Sequence, residues 1–422
     1  VDLTLPRGIR DIEPQEHLLY ERIREAFYEV ADLFNFKMME PAPIEYLSTL
    51  SAKSGEEVAK QIYSFKDKRG RDVGLRFDLT VGLTRYVSSR RDLKPPIKLA
   101  CYGGAWRYEE PQYGRYRWFH QWDVEIFGSA SAEADVEVID VCDKILRRLE
   151  LDNLLIQIGE RSVVEEYIRK SLRVSSEEKL IELMRALDKV QRKTEEELIK
   201  EYEARGVGKD DVSKLLEFGR LHGPPEKMIQ VVDELQLKSS EGLGRVWDSL
   251  KSRGIANVEY NMSVVRGIDY YTGLVFETVD TRNPQLGSLC GGGRYDLLPK
   301  VFGRPDLSAT GAAGGIERVA LLMKGRAEPR GVVFVAYTDS SLRKNAVKLA
   351  SELRSEGVKA ETALDPKSLG KQLEDASDLG AKWTVIIGKR ELASGELTLR
   401  DMNERNEERL SPEEVRGRLK AG

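Results

Sequence analysis

The chain has 422 residues, with 67 Lys and Arg against 71 Asp and Glu and a formal net charge of −4. That length holds roughly two to four domains and a large core, and that charge leaves any nucleic-acid partner to a local basic surface. No apolar run reaches the roughly 18 residues of a membrane span, and V-D-L-T-L-P-R-G lacks the basic-then-apolar pattern of a signal peptide, so a soluble cytoplasmic protein without membrane contact is expected. Cys101, Cys142 and Cys290, like His17, His120 and His222, are scattered, which excludes a disulfide framework, a Cys-x-x-Cys site and a histidine-rich zinc site, and no metal held by protein side chains is expected.

In chain order, Leu19, Ile23, Ala26, Phe27, Val30 and Phe34 stand at helical spacing and predict a long helix over 16–34, after which Pro41 and Pro43 impose an extended arm. Short β-prone runs at 62–65, 73–77, 97–102 and 124–127 predict an antiparallel sheet with a helix near 79–87, followed by a helix over 132–148 and a strand at 154–158. From about 175 to 251 the chain turns charged and helical, with Leu180, Leu183, Leu187 and Val190 in phase. Strand patterns resume at 258–262 and 274–279, so this stretch reads as a helical insertion within one sheet domain. After G-R-A-E-P-R, a strand at 332–336 opens an alternation through 383–387 that predicts a small terminal α/β domain.

Four constellations carry chemistry. V-R-G-I-D-Y-Y-T-G at 265–273 combines the rigid fork of Arg266 with the phenols of Tyr270 and Tyr271, a set that can bind a small zwitterion or form an ordinary strand edge. R-Y-E-E-P-Q-Y-G-R-Y-R-W-F-H-Q-W-D-V-E at 107–125 interleaves arginines and aromatics as a phosphate-contacting, base-stacking loop does, and Gln121 and Glu125 share one face of the strand that follows. S-L-C-G-G-G-R-Y-D at 288–296 reads by itself as a structural bend; no Gly-Lys-Ser/Thr follows it, so it is not a P-loop. G-A-A-G-G-I-E-R-V-A-L-L-M at 311–323 reads as small residues opening an apolar helix, in which Arg318 needs an anionic partner if buried.

The order of these motifs resembles histidyl-tRNA synthetases of class II over almost the whole chain. R-G-I-D-Y-Y with G-G-R-Y-D is specific to that family and its close paralogues, whereas R-x-E and G-x-E-R are shared across class II synthetases. The resemblance implies an α+β catalytic core on a mainly antiparallel sheet at 1–174 and 252–325, a helical insertion at 175–251 and an α/β anticodon-binding domain at 330–422. It implies activation of L-histidine by ATP with Mg2+, transfer to tRNA(His), and a homodimer through the long helix with Pro41 or Pro43. It further implies that Arg107 bridges the α-phosphate and the substrate carboxylate, that Glu109 reads the adenine amino group, and that Arg318 grips the γ-phosphate, with Arg115 and Tyr116 as further ATP-facing residues. For the amino acid it implies Asp78, Thr80 and Gln121 at the α-ammonium, Glu125 and Tyr271 at the two imidazole nitrogens, Tyr270 beside them, and Arg266 between carboxylate and α-phosphate. Gln112 and Arg115 fall on the loop that meets the tRNA acceptor end.

In this reading Arg107 and Arg266 are the catalytic residues, because in-line attack of a carboxylate on a phosphate needs neutralised charge and no protein nucleophile. A pocket that leaves polar groups unpaired around a wrong amino acid discriminates without editing, so no editing domain is expected and the insertion is read as embracing the acceptor arm. Two positions depart from the family pattern. Glu110 stands where many relatives carry arginine, and Gly82–Leu83 follows D-L-T. The alternative is a histidine-binding regulatory paralogue of the histidine-biosynthetic phosphoribosyltransferase, which generally lacks the terminal domain that K-S-L-G-K-Q-L-E-D-A-S-D-L-G-A-K-W-T-V-I-I-G resembles here.

Overall fold

The computed structural model describes residues 3–52, 56–190, 193–265, 271–325 and 331–421. Its contacts divide the chain into two units, Val1–Ala327 and Glu328–Gly422. In the first, the predicted long helix spans Pro14–Leu33 and buries Leu19, Tyr20, Ile23, Ala26, Phe27, Val30 and Ala31, the stripe that its apolar spacing sets. Pro14 opens it, where a missing N–H costs nothing.

A nine-stranded sheet organises this unit. Its order is Lys37–Met38, Ile97–Trp106, Trp118–Phe127, Ala309–Gly315, Ser288–Arg294, Leu274–Asp280, Leu154–Glu160, Val258–Asn261 and His222–Gly223. The six strands from Ile97–Trp106 to Leu154–Glu160 pair antiparallel; Lys37–Met38 and Val258–Asn261 join in parallel. Two of the expected strands are elsewhere. Asp72–Leu75 pairs antiparallel with Ser64–Lys66 on one side and with Ile44–Tyr46 of the extended arm on the other, in a separate three-stranded sheet.

The charged stretch folds as helices Glu177–Asp188, Glu195–Glu203, Lys209–Gly219, Pro225–Glu234 and Ser240–Ser252. Their starts are written locally: the Ser176 side chain accepts from Lys179 N, and Thr194 with Glu197 completes a capping box. Leu180, Leu183 and Leu187 sit in the same hydrophobic core as Ile156, Ile158 and Phe276 of the sheet, and His222–Gly223 adds an edge strand to it. The strands before and after this stretch therefore belong to one sheet.

The second unit is a five-stranded sheet ordered Ala360–Thr362, Val333–Tyr337, Trp383–Ile387, Leu397–Asp401 and Glu407–Leu410, parallel among the first three strands and antiparallel beyond. Its core joins Val333, Phe334, Val335 and Ile386 to Leu349, Leu353 and Ala376 of the flanking helices. Among the described residues no helix is long and apolar enough to cross a membrane.

Candidate active site

Strand Trp118–Phe127 is flanked by Ile97–Trp106 and Ala309–Gly315. Alternation along the strand sends Trp122, Val124 and Ile126 into the main core and puts Gln121, Asp123 and Glu125 together on the other face. Asp123 and Glu125 are 0% and 1% exposed, a burial that carboxylates tolerate only with partners. Thr80, at the start of helix Thr80–Ser89, donates its hydroxyl to Asp123 Oδ2 at 3.2 Å, and Asp78 accepts from Val81 N at 3.1 Å. The strand and the helix start thus bring the expected Asp78, Thr80, Gln121 and Glu125 together in one cluster.

Glu125 has a partner that the motifs alone did not assign. Tyr295 Oη donates to Glu125 Oε2 at 2.5 Å, from a side chain only 1% exposed. Burial drives the Glu125 carboxyl up to about 8, against the hydrogen bonds from Tyr295 and Thr80. Burial also lifts Asp123 well above the carboxylate range, with the charges of Glu125 and Asp78 adding to it, and it raises Asp78 against the Val81 N–H and Arg107. Asp123 and Tyr295 are the two residues of this cluster that the sequence reading passed over. The first carries a signal, since it lies midway between Gln121 and Glu125 on the same period of two.

The glycines of 288–296 and 311–323 are strand residues, not a bend or a helix start. Ser288–Arg294 and Ala309–Gly315 pair antiparallel in mid-sheet, and helix Ile316–Leu322 begins only after Gly315. The reason is space. Gly311 lies opposite Glu125, and a Cβ there would fall 1.4 Å from Glu125 Oε2; one at Gly314 would fall 2.1 Å from the Trp122 indole. Arg294 and Asp296 of the same motif are structural: Arg294 pairs with Asp135 at 2.9 Å, and Asp296 accepts from Ala309 N.

The ATP-facing residues expected from the sequence gather around a hairpin. Arg107 donates to Phe77 O at 2.8 Å and lies over the Phe119 ring at 4.9 Å, which fixes its plane. Glu109 receives Arg115 on both carboxylate oxygens, at 2.7 and 2.5 Å. Gln112 and Arg115 exchange backbone bonds around Tyr113 and Gly114, the latter at φ +71°, where glycine is unstrained. A Cβ on Gly114 would lie 3.6 Å from Arg318 Cγ, so the hairpin tip lies against the helix that carries Arg318. Arg318, half-buried, donates to Ser288 O at 2.7 Å. Tyr116 stacks under the Arg10 guanidinium at 4.2 Å.

Tyr271 packs beside the cluster of Phe77, Leu79 and Tyr295, and its carbonyl accepts from Arg161. Arg266 and Tyr270 lie outside the described residues. Of the two prolines, Pro41 is buried against Gly82 while Pro43 is exposed. Gly82, a departure from the family pattern, is where a Cβ would meet the Pro41 ring at 2.6 Å.

Comparison with known proteins agrees with this architecture. A profile of the histidyl-tRNA synthetase family matches residues 8–319, and one of the anticodon binding domain matches 332–422. The histidine--tRNA ligase of Pyrococcus horikoshii is 36% identical over 98% of each chain, and that of Pyrobaculum islandicum is 34% identical over 95% of this chain and 94% of its own. The crystal structure of histidyl-tRNA synthetase from Nostoc sp. PCC 7120 superposes with a TM-score of 0.85 at 24% identity, covering 100% of this chain and 99% of that one. A structure from Bacillus halodurans titled both ATP phosphoribosyltransferase regulatory subunit and histidyl-tRNA synthetase gives 0.76 at 25% identity, over 92% of this chain and 98% of its own. With both units matched along their length, the chain belongs to the histidyl-tRNA synthetase family.

Proposed function

We propose that this chain activates L-histidine with ATP to histidyl-adenylate and transfers it to the 3′ end of tRNA(His). The observation that carries the reading is the buried Glu125 and Tyr295 pair beside Asp123, Thr80 and Asp78. Imidazole presents one donor and one acceptor on a small ring, and a carboxyl backed by phenols satisfies it where an apolar side chain would leave buried groups unpaired. Glu125 and Tyr271 take the ring, with Tyr270 beside them, and Asp78, Thr80 and Gln121 take the α-ammonium. The substrate carboxylate then attacks the α-phosphate in line and pyrophosphate leaves.

Arg107 and Arg266 neutralise the charge that develops, and Arg318 holds the γ-phosphate. Preformed anchors favour this work, because the Phe77 and Ser288 carbonyls hold two of these guanidinium groups before any substrate arrives. Glu109 accepts the adenine amino group once Arg115 turns from it to the nucleotide, with Tyr116 against the base. Magnesium enters as part of the nucleotide substrate; among the described residues no group of three or more His, Cys, Asp or Glu side chains could hold a metal ion.

Gln112 and Arg115, at the hairpin tip, face the tRNA acceptor end, the helices at 175–251 embrace the acceptor arm, and the unit at 330–422 reads the anticodon. A homodimer is part of the same reading, supported by the exposed apolar residues Ile44, Tyr46 and Phe65, which the three-stranded sheet carries beside the exposed Pro43. A cytoplasmic location goes with it. The regulatory alternative has the same fold, and the terminal match at 332–422 weighs against it.

The test is exchange of pyrophosphate into ATP with each amino acid in turn, followed by charging of tRNA(His). Exchange with histidine and then charging is expected. Histidine binding without exchange would point to the regulatory paralogue, and exchange with another amino acid would overturn the pocket assignment.

A further inference from the structure

The segment ahead of the first helix contacts the ATP hairpin through Arg7, Gly8 and Arg10. Arg7 forms an ion pair with Glu110, and its carbonyl accepts from Arg117 Nη1 at 3.0 Å. Gly8 O accepts from Arg117 N at 2.9 Å. Gly8 itself adopts φ +82°, and a Cβ there would fall 2.7 Å from Pro111 Cγ and 2.8 Å from Arg117 Cδ, so the backbone is seated directly on the hairpin. Arg10 covers the Tyr116 ring at 4.2 Å.

The other end of this segment is anchored to rigid structure. Arg10 holds Glu16 on both carboxylate oxygens and donates to Tyr20 Oη at 3.0 Å, both on helix Pro14–Leu33. Tyr20 meets the His120 ring edge-on at 5.5 Å, and His120 N donates to Glu317 Oε1 at 2.8 Å, one residue before Arg318. The hairpin's own backbone bonds include Arg107 N to Arg117 O and the Gln112 and Arg115 pair, and the Arg117 side chain donates to Glu109 O. Arg117 is therefore gripped from both sides. Glu110, which departs from the family's usual arginine, is accounted for by its partner Arg7.

We propose that residues 7–10 form a positioning strap that fixes the hairpin 107–117 against helix Pro14–Leu33, and so sets where Glu109, Arg115 and Tyr116 meet ATP. This rests on the ATP role given above to that hairpin. The strap touches Glu110, Pro111, Tyr116 and Arg117, and none of its contacts described above reaches Asp78, Gln121 or Glu125, so its loss separates the two substrates. Positioning of this kind acts through near-attack geometry, in which small displacements cost large factors in rate.

The test compares Arg10→Ala, Gly8→Asn and Arg7→Glu with the parent chain by pyrophosphate exchange and by hydrogen exchange of the amides. Arg10→Ala is expected to raise KM for ATP about tenfold with KM for histidine within about twofold. Asn tolerates a left-handed backbone but still carries a Cβ that the seat on Pro111 and Arg117 has no room for, so Gly8→Asn is expected to act like Arg10→Ala. Arg7→Glu, at an exposed pair, is expected to change KM for ATP by no more than about fivefold, and adding Glu110→Arg restores it. In each of the three single variants, amides of 107–117 exchange faster and those of 121–127 do not.

Equal rises in both KM values, or unchanged exchange at 107–117, would overturn the strap. A parent chain with no histidine-dependent exchange would instead overturn the proposed function, and the amide readout would still decide the strap. If the Gly8 or Arg10 variant fails to fold, the Arg7 and Glu110 pair decides it.

Discussion

Two buried glutamines, one in each unit, are used differently. Gln372, 0% exposed in the terminal unit, accepts from Tyr337 N and donates to Tyr337 O and Lys367 O, so its amide is used up by the protein. Gln121, 8% exposed in the catalytic sheet, leaves Oε1 without a hydrogen-bond partner, and Asp123 Oδ1 beside it is in the same position. Buried polar atoms are ordinarily paired, because an unpaired one costs about 1–3 kcal/mol. Unpaired buried atoms occur in both units, Thr384 Oγ1 and Trp383 Nε1 among those of the terminal one, so the contrast lies between these two glutamines: Gln372 is spent on the protein, whereas Gln121 keeps an acceptor beside two buried carboxyls.

The sharpest way to break this contrast is at Glu125. Glu125→Ala should lower kcat/KM for histidine in pyrophosphate exchange by about 10³-fold or more, since it removes the buried carboxyl proposed to meet the imidazole ring; unchanged kinetics would remove Glu125 from the pocket. Gly311→Ala should follow at about 10²-fold, because its Cβ would fall 1.4 Å from Glu125 Oε2 and the carboxylate must move. Its effect should fall on histidine more than on ATP, as separate KM values would show.

A smaller effect appears in stability against pH. Folding favours protonated Glu125, whose pKa is lifted from 4.5 to about 8, so its contribution is fully present below the unfolded value and is lost as pH rises through about 8. Without substrate, thermal melts of the parent chain and Glu125→Gln should diverge from pH 5.5 to 8.5 in favour of the variant, by at most about 1.4 kcal/mol per pH unit. The least effect on activation is expected from Gln372→Leu. It strands backbone groups of Tyr337 and Lys367 and should cost the terminal unit about 1–3 kcal/mol, read by its melt, with histidine-dependent exchange unaltered.

Much of this was written locally. The helices announce themselves through apolar stripes such as Leu19 to Val30 and caps such as Ser176 and Thr194. Glu125 and Gln121 were legible because a strand's period of two puts them on one face. Asp123 obeys the same rule but reads as one more charge in a charged stretch until its burial is known. Tyr295 and Gly311 were not legible as partners of Glu125, since one follows a strand and the other lies on one, 170 and about 186 positions away along the chain, and only sheet order brings them there. The glycine runs misled for a related reason. A bend and a hollowed strand have the same composition, and what separates them is the neighbour that needs the room.

Calorimetric titration of histidine tests the account most directly, at pH 7.5 in two buffers of different ionisation heat. At that pH Glu125 is largely protonated in the free protein, whereas imidazole, with an ordinary pKa of about 6.5, is largely neutral. A pocket that receives the amino acid's ammonium and ring among Asp78, Asp123 and Glu125 must ionise carboxyl groups, so binding should release protons, and Glu125→Gln should release fewer. Histidine binding with no proton release, or with the same release in the variant, would contradict the assignment of this buried carboxylate pocket to histidine.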